Sequence, residues 1–397
     1  MFKSLKRITY YVDDIEKAKA WYNVILGKEP IFDTPVAAIY QIESQSLSLT
    51  KSQESLEQAH ARMEVYWEVD DIEDAFQTLV KQGGQPQLPV TKVLNILIAR
   101  VIDPFGNVLG LTSNANQNER TVETHPSETA MTVAFCRALA FKDNRKEIKG
   151  PDYLAELFLT VEAKKLLKDE KSKTWAIQNL VTSPLYGYFI ARTVFIDSVM
   201  RNACTEGIEQ IVMLGAGYDT RALRFQDQLN DIRVFELDIQ TTQQHKLNIL
   251  NQNKISIPES VSMLPVNFKT DSIENILKDA GFDQNLKSLF IWEGVTYYLS
   301  QEDIEKTLTH IISSSTNGSI LTFDYMIEKR ESINASEPFL FWMEPEKMAS
   351  FLSGFGIEIQ EQLDCNAMKE KYLTLDDGTY GENILSFFNL IKTVIKK

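Results

Sequence analysis

The stretch VDDIEKA, Val12–Ala18, returns nearly intact as VDDIEDA at Val69–Ala75, 57 residues further on. Each copy stands at the same kind of junction. LKRITYYV leads into the first and ARMEVYWEV into the second. Both are β-branched and aromatic runs, which favour extended chain. After each, apolar residues recur at helical spacing: Ala18, Trp21, Tyr22 and Ile25 in one, Ala75, Leu79 and Val80 in the other. Asp13 with Glu16, and Asp70 with Glu73, fit a capping-box variant, with the first acid of each pair at the N-cap. Gly27 and Gly83–Gly84 close the helices. Strand-like runs follow: VAAIYQI and SLSLT in the first unit, NILIARVID and NVLGLTS in the second. Each unit therefore reads as βαβββ, and the pair reads as a duplication.

The remaining sequence does not repeat this phrase. With 397 residues the chain exceeds one ordinary core, so two or three domains are expected. A hydrophobic content of 44% against 24% charged residues fits a globular protein. The net charge is −14 and no Lys/Arg stripe appears, so no nucleic-acid and no membrane partner is expected. The start, MFKSLKRITYYVDD, lacks the apolar core of a signal peptide, and no run of about 18 apolar residues occurs; a cytoplasmic location is expected. Cys136, Cys204 and Cys365 are scattered and odd in number, which suggests buried thiols rather than a disulfide frame or a zinc site.

Residues 1–113 resemble the vicinal oxygen chelate family, the glyoxalase and bleomycin-resistance superfamily. The strings that carry the resemblance are ITYYVDDIEKAKAWYNVILG, EVYWEVDDIEDAFQTLVKQGG and RVIDPFGNVLGL. Enzymes of that family usually hold a divalent metal with His, Gln or Glu from four strands. The matching positions here are Arg7, Ser48, Glu64 and Gly110. Only Glu64 is a good ligand. Arg7 brings a fixed positive charge and Gly110 no side chain. The four histidines, His60, His125, His245 and His310, fall at none of these positions. The resemblance thus implies the fold with no metal site. Its concave sheet is left for packing, for homodimerisation or for a small molecule, and the sequence does not choose between a binding cup and a dimer interface.

SNANQNERTVETHPSE, from Ser113 to Glu128, is polar and contains Pro126; a linker is placed at residues 114–128. Residues 129–206 then read as mostly helical, in TAMTVAFCRALAF, YLAELFLTVEAKKLL and YGYFIARTVFIDSVMRNA. Seven strand-like runs follow: IEQIVMLG (208–215), DIRVFELD (231–238), VSMLPVNF (261–268), SLFIWEGV (288–295), GSILTFDYM (318–326), IEIQEQLD (357–364) and ENILSFFNLIK (382–392). Helical stretches separate most of them. Apolar strands alternating with helices predict a largely parallel sheet covered on both faces. The expected architecture is a two-domain α+β and α/β chain: a duplicated βαβββ unit, then a Rossmann-like seven-stranded sheet at 129–397 with a helical cap before it.

The first of these strands runs into LGAGYDTRAL. Glycines at 215 and 217 let the backbone approach a ligand closely. Asp238 ends the next strand, where an acid can accept hydrogen bonds from ribose hydroxyls. A nicotinamide cofactor competes with this reading. Against it, Thr220 stands where the third glycine of the dinucleotide fingerprint would fall. Asp219 would also repel a pyrophosphate. A zwitterionic nucleoside such as S-adenosylmethionine suits an acid there.

Residues 129 to about 392 resemble the leucine carboxyl methyltransferase family, most closely its bacterial polyketide O-methyltransferase-like branch. ARTVFID, GAGYDTRALR, FELD, WEGVTYYL, GSILTFDYM and MEPEKMASFLSGFGIEIQE occur in the family's order. The resemblance implies a class I methyltransferase using S-adenosyl-L-methionine. Gly215 and Gly217 would then line the methionine end, Asp238 would hold the ribose, and Asn267, where the family often has Asp, would meet the adenine amine. Phe268 would pack on the adenine. Glu293 would lie near the amino group, Arg137 would pair with the carboxylate, and Arg192 would stand near the carboxylates of cofactor and acceptor. Plainer readings stay open beside these. Asp238 could be a helix cap alone, Glu293 with Arg192 a structural ion pair, Arg137 a solvated helix residue, and Asp219 with Arg221 a local loop pair.

A carboxylate acceptor is ionised at neutral pH, with a pKa of about 4, and needs no general base. A phenol or alcohol needs one, and Glu293 and Tyr297 stand nearest in sequence. Arg192, Glu293 and Tyr297 are therefore the catalytic candidates. The expected function is O-methylation of a small-molecule acceptor, a carboxylate by preference, with a metal-free accessory front domain. The alternatives are a small-molecule binding or resistance protein acting through the front domain, and a metal enzyme of the chelate superfamily.

Overall fold

A computed structural model of the chain describes residues 7–42, 45–51, 65–93, 96–114, 125–229, 231–268, 270–330 and 338–397. The chain divides into two compact units, Met1–Ala115 and Asn116–Lys397. Of the expected linker, residues 115–124 lie outside the described residues.

The first unit runs β1 (Arg7–Val12), α1 (Ile15–Leu26), β2 (Phe32–Thr34), β3 (Ala37–Ile42) and β4 (Gln45–Lys51). The same order follows in β5 (Val65–Glu68), α2 (Ile72–Lys81), β6 (Gln85–Val93), β7 (Ile96–Ile102) and β8 (Val108–Asn114). The sheets are ordered β1-β4-β3-β2 and β5-β8-β7-β6, and in each the first strand pairs parallel with the last. The duplicated βαβββ reading is borne out. The caps are not where the spacing placed them: the N-caps are Asp14 and Asp71, the second aspartate of each VDD. Asp14 accepts from the main-chain N–H groups of Glu16 and Lys17 at 3.1 Å each, and Asp71 from Asp74 at 3.0 Å. Starting each helix one residue later puts Ile15, Ala18 and Tyr22, and Ile72, Phe76 and Leu79, into one shared core. The strand β6 escaped the sequence reading because QPQLPVTKV carries two prolines. It is an edge strand, where proline is tolerated, and its register shifts around Leu88.

The second unit begins with α3 (Glu128–Phe141), α4 (Val161–Lys165), α5 (Glu170–Ala176) and α6 (Ser183–Thr205). Residues 153–167, expected as one helix, form instead a single tight turn at Ala155–Phe158 and the short α4. Thr160 divides them, its hydroxyl accepting from Ala163 N at 3.2 Å. Strands and helices then alternate: β9 (Gln210–Leu214), α7 (Arg221–Arg224), β10 (Arg233–Asp238), α8 (Gln240–Gln252), β11 (Val261–Pro265), α9 (Ile273–Asp279), β12 (Ser288–Trp292), α10 (Gln301–Ser313), β13 (Ile320–Met326), α11 (Pro345–Ser353), β14 (Ile357–Leu363), α12 (Cys365–Tyr372) and β15 (Phe388–Ile395). They build one seven-stranded sheet, ordered β11-β10-β9-β12-β13-β15-β14. Every pairing is parallel except those of β15, which runs against β13 and β14. All residues of β9, β12 and β13 are buried, as a sheet covered on both faces requires. The chain leaves β9 toward β10 on one side and returns to β12 on the other. That switch point is where open α/β sheets bind ligands, at the carboxyl ends of the strands.

Candidate active site

At the end of β9 the backbone turns through Gly215 (φ 75) and Gly217 (φ 49). A Cβ on Gly215 would sit 2.5 Å from Val295 Cγ2, so no larger residue fits the turn. The main-chain N–H groups of Gly215 and Ala216 both donate to Leu237 O at 2.9 Å. Asp238 completes the anchor. One of its oxygens accepts from Gly217 N, and the other accepts from Ile239 N at 2.6 Å. A carboxylate has room for about four hydrogen bonds, so holding the loop does not spend it.

Above this loop opens a cavity of about 310 Å³. Its wall takes in Gly215, Gly217 and Asp238. Asn267 and Phe268, after β11, and Glu293, after β12, join them. Arg137 from α3 and Arg192 from α6 complete the set. All eight residues expected around a cofactor are thus brought to one cavity. Of the catalytic candidates, Tyr297 is not on the wall and its neighbour Tyr298 is. Tyr297 is buried behind Arg192, with its hydroxyl 3.3 Å from Arg192 Nη1.

The wall rests on a buried network of charges. Arg221 is fully buried among three carboxylates: Asp197 at 2.7 Å, Asp219 at 2.5 Å and Glu293 at 2.6 Å. Glu293 also faces Arg192 Nε at 2.9 Å, and Arg192 Nη1 donates to Asp324 at 2.9 Å. Arg137 donates from Nη2 to Tyr218 O at 2.7 Å and faces Asp152 at 3.4 Å. Asp152 accepts in turn from Thr220 Oγ1 at 2.7 Å. A lone charge at such depth costs several kcal/mol, and here each finds an opposite partner. The ion pairs suggested by sequence, Glu293 with Arg192 and Asp219 with Arg221, are both present. They do not remove these residues from the site, since Glu293, Arg192 and Asp219 also line the cavity.

These contacts set the protonation states. Burial pushes the Glu293 carboxyl up, but Arg221 and Arg192 outweigh it and hold it below the usual range. Burial likewise opposes the ionised form of Asp219, and Arg221 and Arg137 still bring it down to about 2. Burial and the nearby Asp324 push the Tyr297 phenol well above its ordinary value. None of the three is disposed to take a proton at neutral pH.

Both wall arginines keep an edge of their guanidinium in reserve. Arg192 donates from Nη1 to Asp324, while Nε stands at ion-pair distance from Glu293 without a hydrogen bond among the described residues. Among the described residues its Nη2 makes no hydrogen bond, and neither does Nη1 of Arg137. Asp152, Asp197 and Asp324 were missed in the sequence. Asp324 left a signal, as the one acid inside the apolar strand ILTFDYM. Asp152 and Asp197 left none, since an acid in a loop or a helix is usually solvated.

In the first unit, Gly110 gives its place to an aromatic ring. A Cβ there would lie 2.7 Å from Tyr66. Ser48 is buried, while Glu64 and the Arg7 side chain lie outside the described residues. Among the described residues no group of three or more His, Cys, Asp or Glu is placed to hold a metal ion, and no helix is long and apolar enough to cross a membrane.

A sheet of this order, with β15 alone antiparallel and a glycine loop after the central strand, defines a class I methyltransferase fold. Residues 130–312 match the family model described as Leucine carboxyl methyltransferase, and residues 4–111 that of the Glyoxalase/Bleomycin resistance protein/Dioxygenase superfamily. The first match falls within the second unit and the second match within the first unit. A Bacillus subtilis protein, provisionally named an S-adenosyl-L-methionine-dependent methyltransferase, is 36% identical over 169 residues, 42% of this chain and 53% of its own. A Streptomyces avermitilis protein of the same provisional name is 29% identical over 209 residues, 51% of this chain and 70% of its own. The solved structure of a provisionally named methyltransferase from Thermobifida fusca covers 69% of this chain and 96% of its own, at 14% identity and a TM-score of 0.44. The chain spans about half the length of the Bacillus relative.

Proposed function

We propose that the second unit is an S-adenosylmethionine-dependent O-methyltransferase whose acceptor is a small-molecule carboxylate, with the first unit accessory to it. The cavity residues fit the cofactor. Asp238 and Asn267 supply acceptor oxygens for hydroxyl and amine hydrogens, Phe268 an aromatic face, and Arg137 Nη1 a donor for a carboxylate. When bound, the cofactor supplies a methyl group on a sulfonium, which an acceptor oxygen takes by in-line displacement. The protein's part is to align the acceptor and exclude water.

One observation carries the choice of a carboxylate. The wall offers Arg192 Nη2, which makes no hydrogen bond among the described residues, and neither candidate base is suited to removing a proton. Glu293 is held ionised between two arginines, and Tyr297 is off the wall. An ionised carboxylate needs orientation and no base, whereas a phenol needs its proton removed.

The test is calorimetric titration of the full chain with S-adenosylhomocysteine, on the wild type and on Asp238→Ala. Micromolar binding lost in the variant supports the cofactor site. Release of S-adenosylhomocysteine with small carboxylic acids, and not with phenols, then supports the acceptor class. A well-folded wild type that binds nothing sinks the reading.

A further inference from the structure

Asp324 sits fully buried in β13, a strand with no exposed residue. A carboxylate survives there only if its oxygens are satisfied. One oxygen accepts from Arg192 Nη1 at 2.9 Å and from the Tyr188 hydroxyl at 2.6 Å. The other accepts from Gly294 N at 2.6 Å. Its main-chain oxygen accepts from Thr296 Oγ1 at 2.5 Å. A single residue thus ties helix α6, through Arg192 and Tyr188, to the turn that follows β12. Both Arg192 and Gly294 line the cavity.

The rest of the surroundings leave Arg192 one orientation. Glu293 faces Nε as an ion pair at 2.9 Å, and the guanidinium lies over the Phe189 ring with its centre 4.8 Å from the ring centroid. The Tyr188 ring stacks on Phe388 at 4.5 Å and 17°, so the hydroxyl that meets Asp324 is fixed as well. Glu293 is shared with Arg221, whereas among the described residues Asp324 pairs ionically with Arg192 alone. With Nε facing Glu293 and Nη1 bonded to Asp324, the arm of the fork turned to neither acid is Nη2.

We propose that Asp324 is the positioning residue of the acceptor site, holding Arg192 so that Nη2 alone is presented to the acceptor's anion; this rests on the methyltransferase reading above. Asp324 touches neither acceptor nor cofactor in this scheme. It acts through Arg192, and through Gly294 it keeps the neighbouring turn in step.

Charge and geometry make opposite predictions for Asp324→Asn, which is why that variant is informative. Removing a negative charge beside a cation favours anion binding. The amide, however, has one acceptor oxygen and one donor nitrogen. It cannot accept from Gly294 on one side and from Arg192 and Tyr188 on the other, so the fork loses its hold. A weaker anion site in this variant must therefore come from position. The probe is benzoate, titrated by calorimetry into the full chain saturated with S-adenosylhomocysteine. Wild type binds benzoate. Asp324→Asn keeps its S-adenosylhomocysteine affinity within about threefold and loses about tenfold in benzoate affinity, the scale of one charged hydrogen bond. Tyr188→Phe, which changes no charge and removes one bond to Asp324, moves benzoate affinity the same way by less. It also serves if Asp324→Asn does not fold.

Benzoate affinity equal to wild type or higher in Asp324→Asn overturns the proposal, because charge alone then governs the site. A parallel fall of both affinities in both variants overturns it too, leaving only general support of the fold. A wild type that binds S-adenosylhomocysteine and not benzoate removes this proposal and the carboxylate acceptor while the cofactor site stands. Absence of S-adenosylhomocysteine binding removes the methyltransferase reading itself and this proposal with it.

Discussion

Glu293 and Arg221 meet inside the protein, Oε2 to Nη1 at 2.6 Å, while Oε1 of the same carboxylate stands 2.9 Å from Arg192 Nε. The one acid at the end of β12 therefore joins a guanidinium that is fully buried to one that lines the cavity. Stability and ligand geometry share the same side chain.

Arg221→Met should show the stability half of that arrangement. The substitution leaves Asp197, Asp219 and Glu293 without their common cation. Breaking a buried ionic cluster from one side costs about 3–5 kcal/mol, because uncompensated charge stays inside. Urea unfolding of the full chain should show that loss in the transition of the second unit. A loss under about 1 kcal/mol would mean that the three acids find other partners.

Gly215→Ala and Gly378→Ala separate two effects of glycine. Both positions have positive φ, 75 and 79. A Cβ on Gly378 meets nothing, so only the left-handed backbone is penalised, by about 1 kcal/mol. At Gly215 the new Cβ also collides with Val295 Cγ2, which raises the cost to about 3 kcal/mol. Calorimetric melting of both variants should rank them in that order. The Gly215 variant alone should lose S-adenosylhomocysteine binding, because its glycine lies on the cavity wall.

Those two glycines show what the sequence could and could not tell. Gly215 was legible because GAG follows an apolar run and precedes an acid, a local pattern with a local cause. The duplicated unit was legible for the same reason, through two copies of VDDIE. The helix starts were misplaced by one residue, since VDD offers two acids and only the burial of Ile15 and Ile72 chooses between them. The eight wall residues were read from short motifs near strand ends. The network beneath them was not. Asp324, Asp197 and Asp152 meet their arginines across 132, 24 and 15 residues of chain, and no local pattern reports such a pairing. Tyr297 and Tyr298 could not be told apart by spacing alone. A tight turn at Thr296–Tyr298 buries the first and sends the second to the cavity.

Asp219 should leave a mark on acid unfolding. Its carboxyl titrates near 3.8 in an unfolded chain and at about 2 in the folded one, held down by Arg221 and Arg137 against the effect of burial. The unfolded chain therefore binds this proton first as pH falls. The stabilisation is fully present above about pH 4 and is lost between there and about pH 2, on the order of 2 kcal/mol. Asp219→Asn should be less stable at neutral pH and lose less on acidification. Equal slopes of stability against pH in variant and wild type would count against the assignment.

Tyr22 and Asp103 offer the corresponding test in the first unit. The Tyr22 hydroxyl, on α1, donates to Asp103 Oδ2 at 2.7 Å, which fastens one copy of the repeat to the other. Asp103 does not depend on that bond. It also accepts from Phe105 N at 2.9 Å, Asn107 N at 2.7 Å and Asn107 Nδ2 at 2.9 Å. Tyr22→Phe thus leaves the carboxylate satisfied and should cost about 1 kcal/mol, the net worth of one hydrogen bond. Asp103→Ala leaves the buried hydroxyl and the donors of the 103–107 turn without their acceptor, and should cost about 3 kcal/mol. Urea unfolding of the full chain, followed through the transition of the first unit, should give that threefold ratio. Equal costs would mean that the turn closes without Asp103, on its main-chain bonds from Asp103 N to Asn107 O and from Gly106 N to Asp103 O alone.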